Sequence, residues 1–589
     1  MRRDGESNGV GVAMHRIALG RVGLVLAAVG LLLTASPGFA QTTSRSIPPS
    51  ADPGRLDQRL QTPLDIPGLE TGPGFAVPEA APAPEGAEEI RFRLQRVVLE
   101  GNSVFAEEEL SDIWSADVGE DVSLADIYLY ADAITTRYRN EGFLLSLALV
   151  PPQEIVEGEA SLRIVEGFVE SVSIRGEPRG GQELLQAYGE KIEQDRPLRA
   201  ATLERYLLLM NDLPGIEVNS ILSAAPATPN AATLDVLVEE RRYDAFLEAD
   251  NRGTRFLGPY QQSAAVALHS LLASHEQLEL QYVRAGDPFT RELDFVSASL
   301  RWPLFTEGTT VGISGSLART NPGEDLEDLD VEGDSASLVV SATHPVIRSR
   351  TQNLFLSGQI DLRRSETRIF GNDGLQEDRL TVARLGAFWN RSDRFGGNSF
   401  ASLQVSQGLD LFGPSERGDA RLSRAEGDPE FLKVEADASR LQSLGFLVPG
   451  LSLFASASAQ VSDDPLLAGE EFGLGGEDLG SAFEPAELVG EHGLGGRLEL
   501  RYGRQTDLEE VPLDGWQVYG FADGGRVWND DAGVGEDDRE SLASVGLGLR
   551  LRLLNSVSAD VEVAQPLLRD PGGDDDRRPQ AFFLLRADF

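Results

Sequence analysis

At 589 residues the chain is too long for one ordinary domain, and 52 basic against 95 acidic residues give a formal net charge of −43. That surplus of acid argues against nucleic acid as a partner, because phosphate recognition needs a concentrated basic face. No cysteine is present, which removes disulfides and thiolate metal sites, and the five histidines (His15, His269, His275, His344, His492) show no metal-ligand spacing.

Residues 1–40 read as a secretory signal peptide. Basic residues up to Arg21 precede the apolar run Val22 to Ala35, and Gly38-Phe39-Ala40 offers small residues for cleavage before Gln41, with Met14 as an alternative initiator. The apolar run falls short of the ~20 residues that span a bilayer. Residues 41–89 are rich in Pro, Ala and Gly without sustained period and read as a flexible linker, in which DPGRLDQRLQ could form one short helix. From Ile90 the texture changes to a strand-like run (IRFRLQRVVLEGN), a helical stretch (SLADIYLYADAITTRYRNEGF) and two more strands (LLSLALV, ASLRIVEG). A second unit repeats the order: VESVSIRGEP, the helical QELLQAYGEKI and RAATLERYLLLMNDLPG, then VNSILSAAP and TLDVLVEE. Two tandem α+β domains, 90–167 and 168–241, are predicted.

Over 242–589 the helical period gives way to alternation. In SVGLGLRLRLL, Val545, Leu547, Leu549, Leu551 and Leu553 share one face, while Ser544, Gly546, Gly548, Arg550 and Arg552 share the other. GLGGRLELRY, SVSADVEV and FVSASLRW repeat the scheme. A polar or tiny second face in strand after strand fits a lipid-facing exterior around a wet lumen. About sixteen such segments, at roughly 22 residues per strand plus loop, predict a transmembrane barrel with an even strand count. Short connections (SHEQ, TEGT, RSRT, LVPG, LNS) alternate with longer acidic ones (NPGEDLEDLDVEGDS, GNDGLQEDR, PSERGDARLSRAEGDPE, NDDAGVGEDDRE, RDPGGDDD). That asymmetry is the one expected of periplasmic turns and extracellular loops. The acidic loops lack DxDxDG spacing, so a solvated, repelling outer surface is preferred over calcium sites.

The segment YRNEGFLLSLALVPPQEIVEGEASLRIVEGFVESVSIRG resembles a POTRA domain of the two-partner secretion (TpsB) transporters, the haemolysin secretion/activation family. The matching residues are Tyr138, Gly142-Phe143, Pro152-Gln153 and the Val165-Glu166-Gly167 strand end, and LLLMNDLPGIEV is similar to the corresponding element of a second POTRA domain. The resemblance covers about Ile90 to Phe589 and implies two periplasmic POTRA domains ahead of a 16-stranded antiparallel barrel. Phe589 ends an amphipathic strand (AFFLLRADF), similar to the signal read by the barrel-assembly machinery.

FGLGGEDLGSAF falls between the eleventh and twelfth strands, within a predicted sixth extracellular loop at 470–492. In the superfamily this loop folds into the lumen, with a Phe-x-Leu-Gly-Gly lead (here Phe472, Leu474, Gly475, Gly476) and an Arg-Gly-aromatic tip. Here Ser481-Ala482-Phe483 stands at the tip instead, while the partner motif FADGG (Phe521, Asp523, Gly525) is intact. The glycines permit positive φ and close backbone approach, and no following helix supports a phosphate-cradle reading. An unpaired Asp523 forfeits a contact of about 1–3 kcal/mol, for which Arg497, Arg526 or donors at Ser481 are substitutes; Ser481→Arg is expected to be tolerated or to strengthen the lock.

The resemblance implies an outer-membrane pore that takes an unfolded exoprotein, a large β-helical adhesin or haemolysin, through its POTRA domains and passes it to the cell surface, possible activation included. Outer-membrane lipids and lipopolysaccharide and, during biogenesis, the assembly machinery are the other expected partners. No enzyme activity and no cofactor are expected. The alternatives are an assembly factor of the same superfamily, which generally carries more POTRA domains, and a passive porin-like channel.

Overall fold

The computed structural model describes residues 47–60, 68, 82–228, 230–286, 290–505, 513–530, 538–569 and 577–589. The predicted signal peptide and much of the predicted linker lie outside them. Ahead of the first α+β unit, two 3-10 turns (Pro49–Ala51, Pro53–Arg55) lead into the short helix α1 (Leu56–Leu60).

The run read as one strand from Ile90 splits into β1 (Arg91–Arg93) and β2 (Arg96–Glu100), which join different sheets. Helix α2 (Glu107–Ser111), not anticipated from the sequence, begins where the Glu109 carboxylate accepts from Ala106 N at 2.8 Å. After β3 (Asp121–Ser123), Ser123 starts helix α3 (Leu124–Asn140) through a capping box with Asp126. Ile127, Tyr130, Ala131, Ile134 and Tyr138 recur at three and four residues and form its buried stripe. That stripe packs on β4 (Leu147–Leu149) and β5 (Glu159–Val165), with β5 central and parallel to β2. The second unit orders its sheet β6 (Phe168–Arg175), β8 (Ala231–Glu240), β7 (Ile216–Ala224), backed by α4 (Glu183–Gln194) and α5 (Ala200–Asn211).

Sixteen strands then close an antiparallel barrel. In chain order these are β9 (Tyr243–Asp250), β10 (Tyr260–His269), β11 (Gln277–Gly286), β12 (Leu293–Leu304), β13 (Thr309–Thr320), β14 (Glu332–Arg348), β15 (Gln352–Ile369) and β16 (Asn372–Ser392). They continue with β17 (Gly397–Gly408), β18 (Leu432–Ser443) and β19 (Leu451–Ser462), and resume after a long loop as β22 to β26. Within that loop β20 (Phe472–Leu474) pairs with β21 (Leu488–Gly490). The last five are β22 (His492–Gln505), β23 (Leu513–Trp528), β24 (Arg539–Leu553), β25 (Val557–Pro566) and β26 (Gln580–Asp588). Alternation sets the two faces: on β24, Leu547 is 71% exposed toward lipid while neighbouring Ser544 is 1% exposed inside. Strand β26 closes on β9 over five paired positions, and Phe589 extends the seam by exchanging backbone bonds with Ala245.

One predicted loop is corrected. GNDGLQEDR is mostly strand, because β15 and β16 run on past the membrane as a paired hairpin that turns at Phe370 and Gly371. Glu377, Asp378 and Arg379 lie on a hydrogen-bonded ladder, and composition alone does not separate that from a coil.

The linker reading missed a seat inside the barrel. Ile47 and Ala51 pack with Leu326 and Val331 under the extracellular loops, and Leu56 packs with Leu257, Val283 and Phe295 on the inner wall. The chain is met again at Gly68, whose carbonyl accepts from Arg348 and Asn353 at the other end of the barrel. There the second α+β unit is tied to the short turns: Arg348 pairs with Asp212 at 2.6 Å and Lys191 with Glu307 at 2.8 Å.

Candidate functional site

The loop joining β19 to β22, here loop 6, enters the lumen and meets the inner wall of β22 to β25. Its lead is seated on a floor without side chains. A Cβ on Gly493 would collide with the Phe472 ring, and one on Gly525 would meet Leu474 Cδ2 at 2.6 Å. Gly475 and Gly476 hold φ of 107° and 88°, which L side chains resist. Gly475 is also crowded by the Glu484 carbonyl, whereas nothing lies within 3.4 Å of a Cβ at Gly476. Phe483 is 2% exposed and packs with Leu474, Leu488, Tyr519, Phe521 and Leu542.

The polar half of the contact is at Asp523. Its carboxylate accepts from the hydroxyls of Ser481 and Ser544 and from Ser481 N at 3.3 Å. The cation is Arg497 of β22, which donates to Asp523 Oδ2 at 3.0 Å, to Glu562 Oε2 at 3.2 Å and to the Glu477 carbonyl at 2.9 Å. Arg526, the other candidate, bonds Ser541 instead. Arg497 also lies 3.9 Å above the Phe521 ring, and Arg550 lies at the same distance above Tyr519. Both rings lie flat against β24 because Gly546 and Gly548 leave them room. The small face of SVGLGLRLRLL is therefore a seat for two aromatic rings, each covered by an arginine.

Ser481 is fully buried between Asp523 and Arg497. That placement argues against tolerance of Ser481→Arg: a second guanidinium there would crowd Arg497 and compete with it for Asp523.

A second charged knot sits at the loop's entry, and the sequence reading did not find it. Glu470 pairs with Arg384 at 2.6 Å and Lys433 at 2.8 Å on the wall. Glu471 faces Arg424 of the 409–431 loop at 3.4 Å and Arg55 of the luminal segment at 3.6 Å. Each residue is ordinary alone, and only closure of the barrel brings them together.

The POTRA motif residues fall elsewhere and act on architecture. Glu166 accepts from Ser103 N at 2.7 Å, Val104 N at 3.1 Å, Tyr138 OH at 2.8 Å and the Ser103 hydroxyl. Gln153, beside Pro152, brackets Ser161 of β5 with bonds of 2.6 and 2.8 Å. Gly142 (φ 90°) and Gly167 offer carbonyls to Ala200 N and Leu198 N, which join the first unit to the second. Burial pushes the Glu166 carboxyl up, but the bonds from Ser103, Tyr138 and Val104 outweigh it and hold the group below its ordinary value. A depressed folded value means stability that is present at neutral pH and lost as pH falls through that value. Glu166→Gln is expected to lower the melting temperature of the full chain's POTRA transition at pH 7 and to flatten its acid dependence below about pH 4.5. An unchanged acid profile in the variant would show that Glu166 does not carry it.

An antiparallel 16-strand barrel with a POTRA domain upstream is the architecture of an outer-membrane protein with its POTRA domains in the periplasm, and the family match makes it a transporter of the two-partner secretion type, with a partner exoprotein as its substrate. Residues 234–551 match the family described as haemolysin secretion/activation protein ShlB/FhaC/HecB, and the chain belongs to that family; residues 92–167 match the ShlB-type POTRA domain. The heme/hemopexin transporter protein HuxB of Haemophilus influenzae (strain 86-028NP) is 23% identical over 553 residues, covering 90% of this chain and 94% of the relative. CdiB from Escherichia coli superposes with a TM-score of 0.70 at 19% identity, over 91% of this chain and 95% of that one. BamA from Haemophilus ducreyi, lacking POTRA domains 1–3, reaches a TM-score of 0.50 at 13% identity over 84% and 99% of the two chains. Since the fold alone is shared that widely, the family match carries the assignment to secretion.

Proposed function

We propose that the exoprotein enters as an extended chain, is received along a POTRA sheet edge, and passes through the lumen once residues 47–60 and loop 6 have moved aside. The carrying observation is that the lumen is occupied by two of the chain's own segments, held largely by side-chain hydrogen bonds and ion pairs to the wall and to each other. Loop 6 is the lock: Phe483 is its apolar anchor, Ser481 and Asp523 its polar contact, and Phe472, Leu474, Gly475 and Gly476 its fit to the wall. The intake edge is β7, which pairs only with β8 among the described residues and has Ile221 exposed beside Leu237. Main-chain pairing along such an edge gives affinity with little demand on sequence, which suits an unfolded cargo of the adhesin or haemolysin type. A photocrosslinking residue at Ile221, in cells making the full chain and its partner, should capture the amino-terminal part of the exoprotein. Normal secretion with no capture at Ile221, and with the second POTRA unit deleted, would overturn this intake route.

A further inference from the structure

Between Glu477 and Glu487 the loop 6 tip carries four carboxylates (Glu477, Asp478, Glu484, Glu487) and no basic residue. Arg497 meets one side of it. The other side faces the first extracellular loop, residues 251–259 between β9 and β10, which is a built turn. Thr254 bridges Gly258, Gly253 N donates to the Pro259 carbonyl at 3.0 Å, and Thr254 and Leu257 are fully buried. From this turn Arg255 donates its backbone N–H to Glu484 Oε1 at 3.0 Å, and its guanidinium stands 3.3 Å from Glu484 and 3.9 Å from Glu487. Arg252 reaches the Ser481 carbonyl at 3.5 Å and Glu562 at 2.8 Å, and stacks 4.2 Å from the Phe582 ring. Glu562 is the carboxylate that also takes Arg497 and Tyr519. The neighbouring Asn251 exchanges bonds with Ala581 and Phe583 of the closing strand β26.

We propose that Arg252 and Arg255 are positioning residues for translocation: a cation clamp from the first extracellular loop that holds the acidic tip of loop 6 in the lumen. The clamp rests on the reading of loop 6 as the lock. With Arg497 it places three arginines around a tip that has lost its own, so the charge pairing runs from scaffold to loop and not from loop to wall. Because the clamp and Asn251 share one short turn, a displaced tip would also free the turn that braces the seam of β9 and β26.

The test uses the full chain in cells and exploits the absence of native cysteine. Ala482 is 2% exposed in the docked tip, so an Ala482→Cys thiol should resist a membrane-impermeant maleimide. Adding Arg252→Ser and Arg255→Ser should speed labelling about tenfold at equal amounts of heat-modifiable barrel, and lysine at both positions should restore protection only in part, since it keeps the charge but not the planar stack on Phe582. Arg255→Ser alone, at the more exposed site, serves if the double variant does not assemble, with the same direction expected. Asp523→Ala is the reference. If it exposes the thiol while the arginine variants do not, the clamp fails and the lock stands. If no variant exposes the thiol and secretion is normal, the lock itself fails and the clamp with it.

Discussion

Ser481→Arg is expected to abolish most secretion, and Arg497→Ser in the same chain to restore it. The serine is fully buried against Asp523 and Arg497, so a second guanidinium would have to displace Arg497 from Asp523 in space that a serine fills. Removing Arg497 alone leaves Asp523 and Glu562 short of their shared cation, a loss of about 3–5 kcal/mol in a buried site. At about 1.4 kcal/mol per tenfold, that shifts the closed-to-open balance by a hundredfold or more. The double variant returns the guanidinium to the tip, the arrangement usual in the superfamily, with Asp523 in place to receive it. The measurement is exoprotein in the medium per assembled barrel for both single variants and the pair. Two equally defective singles with no recovery in the pair would show that Arg497 and position 481 do not share one role.

Deleting residues 47–60 is expected to turn a nearly closed barrel into one with sustained, several-fold higher conductance in planar bilayers. Arg55 is the main tether, donating to the carbonyls of Ala468 at 2.5 Å and Glu471 at 3.0 Å, while Arg59 reaches Gln261 at 2.6 Å. Arg55→Ala should therefore move conductance in the same direction and by less, since Leu56, Ile47 and Ala51 keep their apolar seats. Unchanged conductance in the deletion would mean that this segment does not obstruct the path.

The barrel was legible in the sequence because its period is local: inward and outward residues alternate within each strand. The meeting of Ser481 with Asp523 was reachable through motif resemblance, and Arg497 was among the named substitutes. What stayed hidden depends on closure. Arg55 and Glu471 are 416 residues apart and lie in stretches without period, so nothing local marks either as a partner. Arg252 and Arg255 belong to no motif or period that would single them out. Gly493, Gly546 and Gly548 read as the small face of a strand, and their role as seats needs the rings of Phe472, Phe521 and Tyr519 brought from elsewhere in the chain. The extent of β15 and β16 was misjudged because acidic residues on an exposed ladder look like those of a loop.

Strand β16 runs for 21 residues, about 70 Å of backbone at ~3.3 Å per residue. Roughly 9–11 tilted residues are enough to cross the hydrocarbon layer, so about half of this strand, with its partner β15, stands outside it. The tip of that hairpin, at Phe370 and Gly371, lies beyond a register shift at Thr367 and Ile369, and Phe370 N donates to the Leu329 carbonyl of the neighbouring loop at 3.0 Å. It is thus a mast on the cell exterior that leans on the loop between β13 and β14, and an epitope tag spliced at its tip would be displayed to antibody on intact cells.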